Sequence, residues 1–140
     1  MLKVIVDTNI VFSALLSSEN TFRNELIFNE EDEFYTCRFL IVEIFKNKEK
    51  IKKLTKLEEE VLLETLHEIL KRIRFYNEDL IDESHWKEAY RYCKEVDLKD
   101  IPFVALNLEL DGHLWTGDEI LKSHLKQKGF AKFFSPRKDS

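Results

Sequence analysis

A chain of 140 residues is long enough for one compact domain and too short for two. With 44% hydrophobic residues, eleven Phe, and only three Gly and two Pro, it can fill a proper core, which excludes collagenous and disordered classes. The 22 basic and 27 acidic residues leave a net charge of −5, so the chain is no general polycation, and any contact with nucleic acid needs a local basic surface.

In chain order, Leu2 to Val6 is apolar and β-branched, as a buried parallel strand requires. Ile10 to Leu16 is predicted helical, and Thr21 is expected to cap a second helix running to about Phe28. Phe34 to Cys37 reads as a second strand. Leu40 to about Leu54 has helical spacing, with Ile41, Ile44, Phe45 and Ile51 as candidate buried positions. Thr55 is expected to open the next helix, whose apolar face carries Leu57, Val61, Leu62, Leu66, Ile69, Leu70 and Ile73 at a 3.6-residue period. Arg74 to Tyr76 is a brief strand, and Glu83 to Val96 a helix with Trp86, Ala89, Tyr90 and Cys93 on one side. Pro102 suits the first turn of a further helix bearing Phe103, Leu106 and Leu110. His113 to Thr116 is a strand, Glu119 to Lys128 a helix, and Phe130 to Phe134 a last short strand. Strands alternating with helices predict a parallel sheet covered on both faces.

Cys37 and Cys93 have no CxxC spacing and are expected as reduced core thiols. The start, MLKVIVDTN, reaches an aspartate too early for the apolar region of a signal peptide. No apolar run approaches a membrane span, so a cytoplasmic location is the expectation.

Ligands of open parallel sheets gather beyond the carboxyl ends of the strands. Asp7 directly follows the first strand, Asp118 follows the strand ending at Thr116, and Asp100 stands just ahead of the Pro102 helix. Glu43 falls one turn into the helix after the second strand. Two such carboxylates about 5 Å apart repel by roughly 3 kcal/mol at an effective dielectric near 20. A divalent cation removes that cost, and oxygen-only ligands suit Mg²⁺ or Mn²⁺. Each acid also has a plainer role. Asp100 and Asp118 stand where helices favour an Asp cap, Asp7 suits an Asx turn, Glu43 a solvated helix face, and Asp97 a turn or cap. Their joint placement is what favours metal.

Taken together, VIVDTNIVFSALL and DIPFVALNLELDGHLWTGDEIL resemble the PIN-domain family, and within it the small single-domain, VapC-like toxins of toxin–antitoxin pairs. Asp7, Thr8 and Asn9 match the family's strand-ending aspartate with its hydroxyl residue and Asn. Asp100 matches the aspartate heading an apolar helix, and Thr116, Gly117 and Asp118 match the Thr-x-Asp that ends a strand. Glu43, in RFLIVEIFKNK, is the natural match for the family's glutamate, with Glu49 as its rival. The resemblance implies one PIN domain over residues 1–140, a three-layer α/β/α sandwich with a central parallel, Rossmann-like sheet. It also implies a Mg²⁺- or Mn²⁺-dependent endoribonuclease whose ligands are Asp7, Glu43, Asp100 and Asp118. Such a metal activates water for in-line attack on phosphorus and stabilises the leaving oxygen. Asn9 and Thr116 would orient the carboxylates. A small antitoxin and a homodimer are further implications.

The basic run Lys46, Lys48, Lys50, Lys52 and Lys53 is a candidate for holding RNA by its phosphates, with a solvated helix face as the alternative. Trp115 and Tyr76 are aromatic enough to stack bases, but core positions fit them better. His67, His85, His113 and His124 lack metal spacing. A phosphatase of the haloacid dehalogenase type would need a second aspartate where Asn9 stands. The competing reading is non-enzymatic: a PIN fold that binds RNA or a protein with little activity of its own.

Overall fold

The computed structural model describes residues 1–16 and 20–136. Strand β1 (Lys3–Val6) lies between β2 (Glu33–Cys37) and β4 (His113–Trp115), and β3 (Ile73–Tyr76) pairs on the far side of β2. All three pairings are parallel, with Ile5 beside Tyr35 on one side and Leu114 on the other. Val4, Ile5 and Val6 are fully buried, as a central strand covered on both faces must be. The helices are α1 (Thr8–Leu16), α2 (Thr21–Phe28), α3 (Phe39–Lys46), α4 (Lys48–Leu54), α5 (Glu59–Lys71), α6 (Glu83–Cys93), α7 (Ile101–Leu110) and α8 (Glu119–Gln127). The expected α/β/α arrangement around a parallel sheet is therefore present.

Apolar side chains from these layers form a continuous core. Trp115 sits in it against Phe22, Phe34 and Phe134, so it is a packing residue rather than a base-stacking one. Cys37 and Cys93 are buried and free, and burial pushes both thiols up to about 12. Between α7 and β4 the chain turns through Asp111, at φ 51°, into Gly112. A Cβ on Gly112 would lie 2.6 Å from the Lys3 carbonyl oxygen, so only glycine lets this turn pass under β1. No helix among the described residues is long and apolar enough to cross a membrane.

Four expectations need correction. The helix over 40–54 is two helices, because the chain breaks at Asn47 (φ −107°, ψ 13°), whose side chain turns back to donate to the Glu43 carbonyl at 2.8 Å. With the break the apolar phase changes. Leu40 and Ile51 are buried and Ile44 packs against the core, but Ile41 and Phe45 are exposed, Phe45 at 67%. Thr55 does not open α5: its hydroxyl donates to the Leu15 carbonyl at 2.6 Å, tying the chain to the end of α1, and Glu58 precedes the helix instead. Along α5, Leu62 and Ile69 are buried, whereas Val61 is 43% exposed. Asn20, not Thr21, caps α2, accepting from the Arg23 N–H at 2.7 Å. Finally, residues 130–134 form no strand. They meet β4 through one parallel bridge, Phe133 with Leu114, where the Leu114 N–H donates to the Lys132 carbonyl and the Phe134 N–H to the Leu114 carbonyl. The Phe133 N–H donates instead to the Ala131 carbonyl.

Candidate functional site

Parallel pairing puts the carboxyl ends of β1, β2 and β4 on one edge, and the acids collect there. Asp7, the first residue after β1, is only 3% exposed. One of its oxygens accepts from the Ile10 N–H at 3.1 Å and so caps α1. Burial pushes its carboxyl up to about 6. Hydrogen bonds from the Thr116 side chain and Ile10 offset part of this, and the charges of Asp118 and Glu43 add to it.

Asp100 ends a 3₁₀ turn (Leu98–Asp100) and leads into α7, whose Pro102 tolerates the first turn because it has no N–H to satisfy. A capping role is expected at this position, yet the Asp100 side chain makes no cap hydrogen bond. Its Oδ2 is buried with no hydrogen-bond partner among the described residues. Burial, then the charges of Asp97, Asp7, Asp118 and Glu43, raise its carboxyl to about 7. Asp97 does cap the turn, accepting from the Lys99 N–H at 2.9 Å.

Glu43 lies one turn into α3 and accepts a short hydrogen bond from the Thr8 hydroxyl. The helix that carries it is held at its start by Glu78, which accepts from the Arg38 N–H at 2.9 Å and the Phe39 N–H at 3.1 Å. Asp118 follows β4 and caps α8 through Leu121 N–H at 3.0 Å, while its own N–H donates to the Thr116 hydroxyl at 3.1 Å.

Asp7, Glu43 and Asp100 open into one cavity of about 200 Å³, with Thr8, Asn9, Asn47 and Asp97 around them and Phe12 and Phe103 as apolar walls. Asp118 and Thr116 stand beside the cavity rather than in its lining. Asp118 reaches the other acids through its charge, and Thr116 reaches Asp7 by its hydroxyl. Asn9 lines the cavity but, among the described residues, makes no hydrogen bond to these carboxylates. Glu49, the rival to Glu43, faces a different groove of about 280 Å³ between α4 and α5, beside Lys48 and Lys52.

The basic run is likewise outside the acid cavity. Lys52 pairs with Glu59 at 3.6 Å, and the Lys48 ammonium sits 4.2 Å from the Phe45 ring centroid. Lys46, Lys50 and Lys53 are exposed. Four cavity residues escaped the sequence reading of the site, Phe12, Asn47, Lys99 and Phe103, as did the pairing of Thr8 with Glu43. Thr8 and Glu43 are 35 residues apart, so no local pattern joins them.

Cation chemistry fits the donors present: oxygen-only side chains, two carboxyls held near neutrality and a buried oxygen with nothing to bind. Among the described residues, no three such side chains are drawn together closely enough to hold a metal as they stand. Glu43 already lines the cavity beside Thr8, but Asp118 is turned onto its own helix and would have to rotate inward.

This arrangement defines an α/β fold with an acidic cavity at the carboxyl edge of a parallel sheet. The sequence pattern of the PIN domain matches residues 5–129, and the chain belongs to that family. Solved structures that share its fold include the following two. VapBC2 from Rickettsia felis, bound to a DNA fragment from their promoter, is 14% identical with a TM-score of 0.65, over 87% of this chain and 92% of that one. PAE2754 from Pyrobaculum aerophilum is 14% identical with a TM-score of 0.61, over 89% of this chain and 81% of that one. No curated protein matches the chain.

Proposed function

We propose that this PIN domain is a Mg²⁺- or Mn²⁺-dependent endoribonuclease that hydrolyses RNA phosphodiester bonds and serves as the toxin of a toxin–antitoxin pair. One observation carries the reading: Asp7, Glu43 and Asp100 share a single cavity, two of them raised to about 6 and 7, and a buried Asp100 oxygen is left without a partner. A fold gains nothing from such an arrangement unless a cation fills it.

Asp7, Glu43 and Asp100 would hold the cation directly, and Asp118 would complete the set by rotating off α8. When bound, Mg²⁺ or Mn²⁺ supplies the Lewis acidity that activates water and stabilises the leaving oxygen. The chain supplies placement. Ile10 N–H and Thr116 aim the Asp7 carboxylate, Thr8 aims Glu43, and Phe12 and Phe103 exclude water from the inner wall. No nucleophilic side chain is needed. A small antitoxin as partner is supported by the shared fold with VapBC2 and by exposed Ile41, Val42 and Phe45 on α3. A homodimer belongs to the same reading.

Incubating purified protein with a pool of fluorescent RNAs in Mg²⁺, Mn²⁺ or EDTA, beside Asp7→Asn, tests this directly. Cleavage that requires metal and disappears in the variant is expected. Cleavage that persists in EDTA or in Asp7→Asn would overturn the reading.

A further inference from the structure

Among the described residues, every charged side chain lining the acid cavity is negative except one. Lys99 occupies the turn directly before Asp100, and the Asp97 carboxylate fixes that turn by accepting its N–H at 2.9 Å. The Lys99 side chain is exposed and lines the cavity beside Asp97, Asp100 and Glu43. Yet among the described residues it forms no ion pair with any of them. An exposed ammonium with three donors and no ion-pair partner among the described residues, on a side chain that lines an anionic cavity, is placed for an anion that arrives from outside.

RNA needs such a group here. A backbone phosphate entering the cavity meets the field of the carboxylates before it reaches any cation among them. The lysines of α4 lie outside this cavity, and Lys52 is already paired with Glu59. Given the ribonuclease reading above, on which this rests, we infer that Lys99 holds a backbone phosphate of the bound RNA strand at the cavity mouth. Lysine suits that role as a point charge that contacts phosphate without reading sequence. Asp97 is then a positioning residue that sets the direction of Lys99 by capping the turn.

The test is steady-state cleavage of single-stranded RNA with Mg²⁺ over a range of salt, for the wild type, Lys99→Gln and Lys99→Arg. Mn²⁺ affinity and Tm are measured on the same proteins without RNA. Loss of one charge-assisted contact is expected to raise KM by about tenfold in Lys99→Gln with kcat nearly unchanged. The slope of log(kcat/KM) against log salt should fall by about 0.7, the value for one phosphate contact on a single strand. Lys99→Arg should stay close to wild type. Mn²⁺ affinity should hold or tighten in Lys99→Gln, since a positive charge has left the cavity. An unchanged KM and salt slope would overturn the assignment, as would a joint loss of kcat, Mn²⁺ affinity and Tm, which marks a structural role. If the wild type cleaves with metal but Lys99→Gln matches it, only the phosphate anchor fails. If the wild type cleaves nothing, both readings fall.

Discussion

At the β3 end of the sheet's carboxyl edge, converging donors hold an acid low; at the β1 end, burial and like charge raise Asp7 and Asp100. Glu78 is partly buried, which alone would raise its carboxyl. The Arg38 N–H, the Arg38 guanidinium and the Phe39 N–H outweigh that and hold it below the usual range. Glu109, at the far end of α7 from Asp100, is likewise held low by the Asp82 N–H, His85 at 2.8 Å and the Tyr76 hydroxyl at 3.2 Å. A few strands away, Asp7 keeps hydrogen bonds from Ile10 and Thr116, but burial and like charges outweigh them, and both Asp7 and Asp100 are pushed upward. The same residue types thus do two jobs. Where donors prevail, an acid fastens loops; where burial and like charge prevail, its carboxyl is raised, as the proposed cation site requires.

The largest effect that would sharpen this contrast is loss of cleavage in Asp7→Asn and Asp100→Asn. Each should fall by about a thousandfold or more, because direct cation ligands contribute several kcal/mol to the transition state. In EDTA at pH 8 both variants should melt no lower than wild type, and rather higher, since a repelling charge is gone. An unfolded variant would break the comparison.

Glu78→Ala should behave in the opposite way. It removes the cap of α3 and is expected to cost about 1 kcal/mol of stability in urea unfolding, with cleavage reduced only modestly. If it abolished cleavage with full stability, Glu78 would belong to the site.

The pH dependence of metal-free stability separates the two regions again. Asp7 and Asp100 titrate near 6 and 7 when folded, against an ordinary value of 3.8, so the folded state binds their protons more tightly than the unfolded state. Their protonation therefore supports the fold at low pH, and that support is lost as pH rises from about 4 to about 7. Glu78 has the opposite sign: its support is present above the ordinary carboxylate range and lost in acid. Thermal melts in EDTA should fall by several degrees between pH 5 and pH 8, and Mg²⁺ should restore the loss at pH 8. A flat profile would mean that the acids are solvated after all.

Smaller effects probe the supporting groups. Thr8→Val frees Glu43 from its hydroxyl partner and should weaken Mn²⁺ binding by about tenfold, as loss of an orienting hydrogen bond does. The weakest expected change is in Lys50→Ala with Lys53→Ala. These exposed lysines lie outside the acid cavity, so they should reduce the salt slope of RNA binding without altering kcat.

Much of this was readable in the chain because parallel strands and their exits leave local marks. Leu2–Val6 and the run before Thr116 are short apolar stretches, and the aspartates that follow them sit where the sheet must end. Asp100 was legible from Pro102, which fixes where α7 begins. Glu43 was preferred to Glu49 by resemblance, and the two turn out to face different grooves. What the chain concealed was non-local or conditional. Asn47 breaks a run of good helix formers because its side chain finds the Glu43 carbonyl, a choice that propensity does not encode. Phe45 has the spacing of a core residue but is exposed, since apolar periodicity says only that a face avoids water, not what covers it. Residues 130–134 have strand composition and pair through one bridge. The partner of Thr8 and the isolation of Lys99 depend on which helices meet, and that is known only in three dimensions.

The most direct measurement is Mn²⁺ binding by titration calorimetry to metal-free protein at neutral pH, for the wild type, Asp7→Asn, Glu43→Gln, Asp100→Asn and Glu78→Gln. Binding by the wild type that is lost in the first three variants and retained in Glu78→Gln is expected. Failure of the wild type to bind, or equal binding by all five proteins, would contradict the claim that the unmatched acids form a cation site.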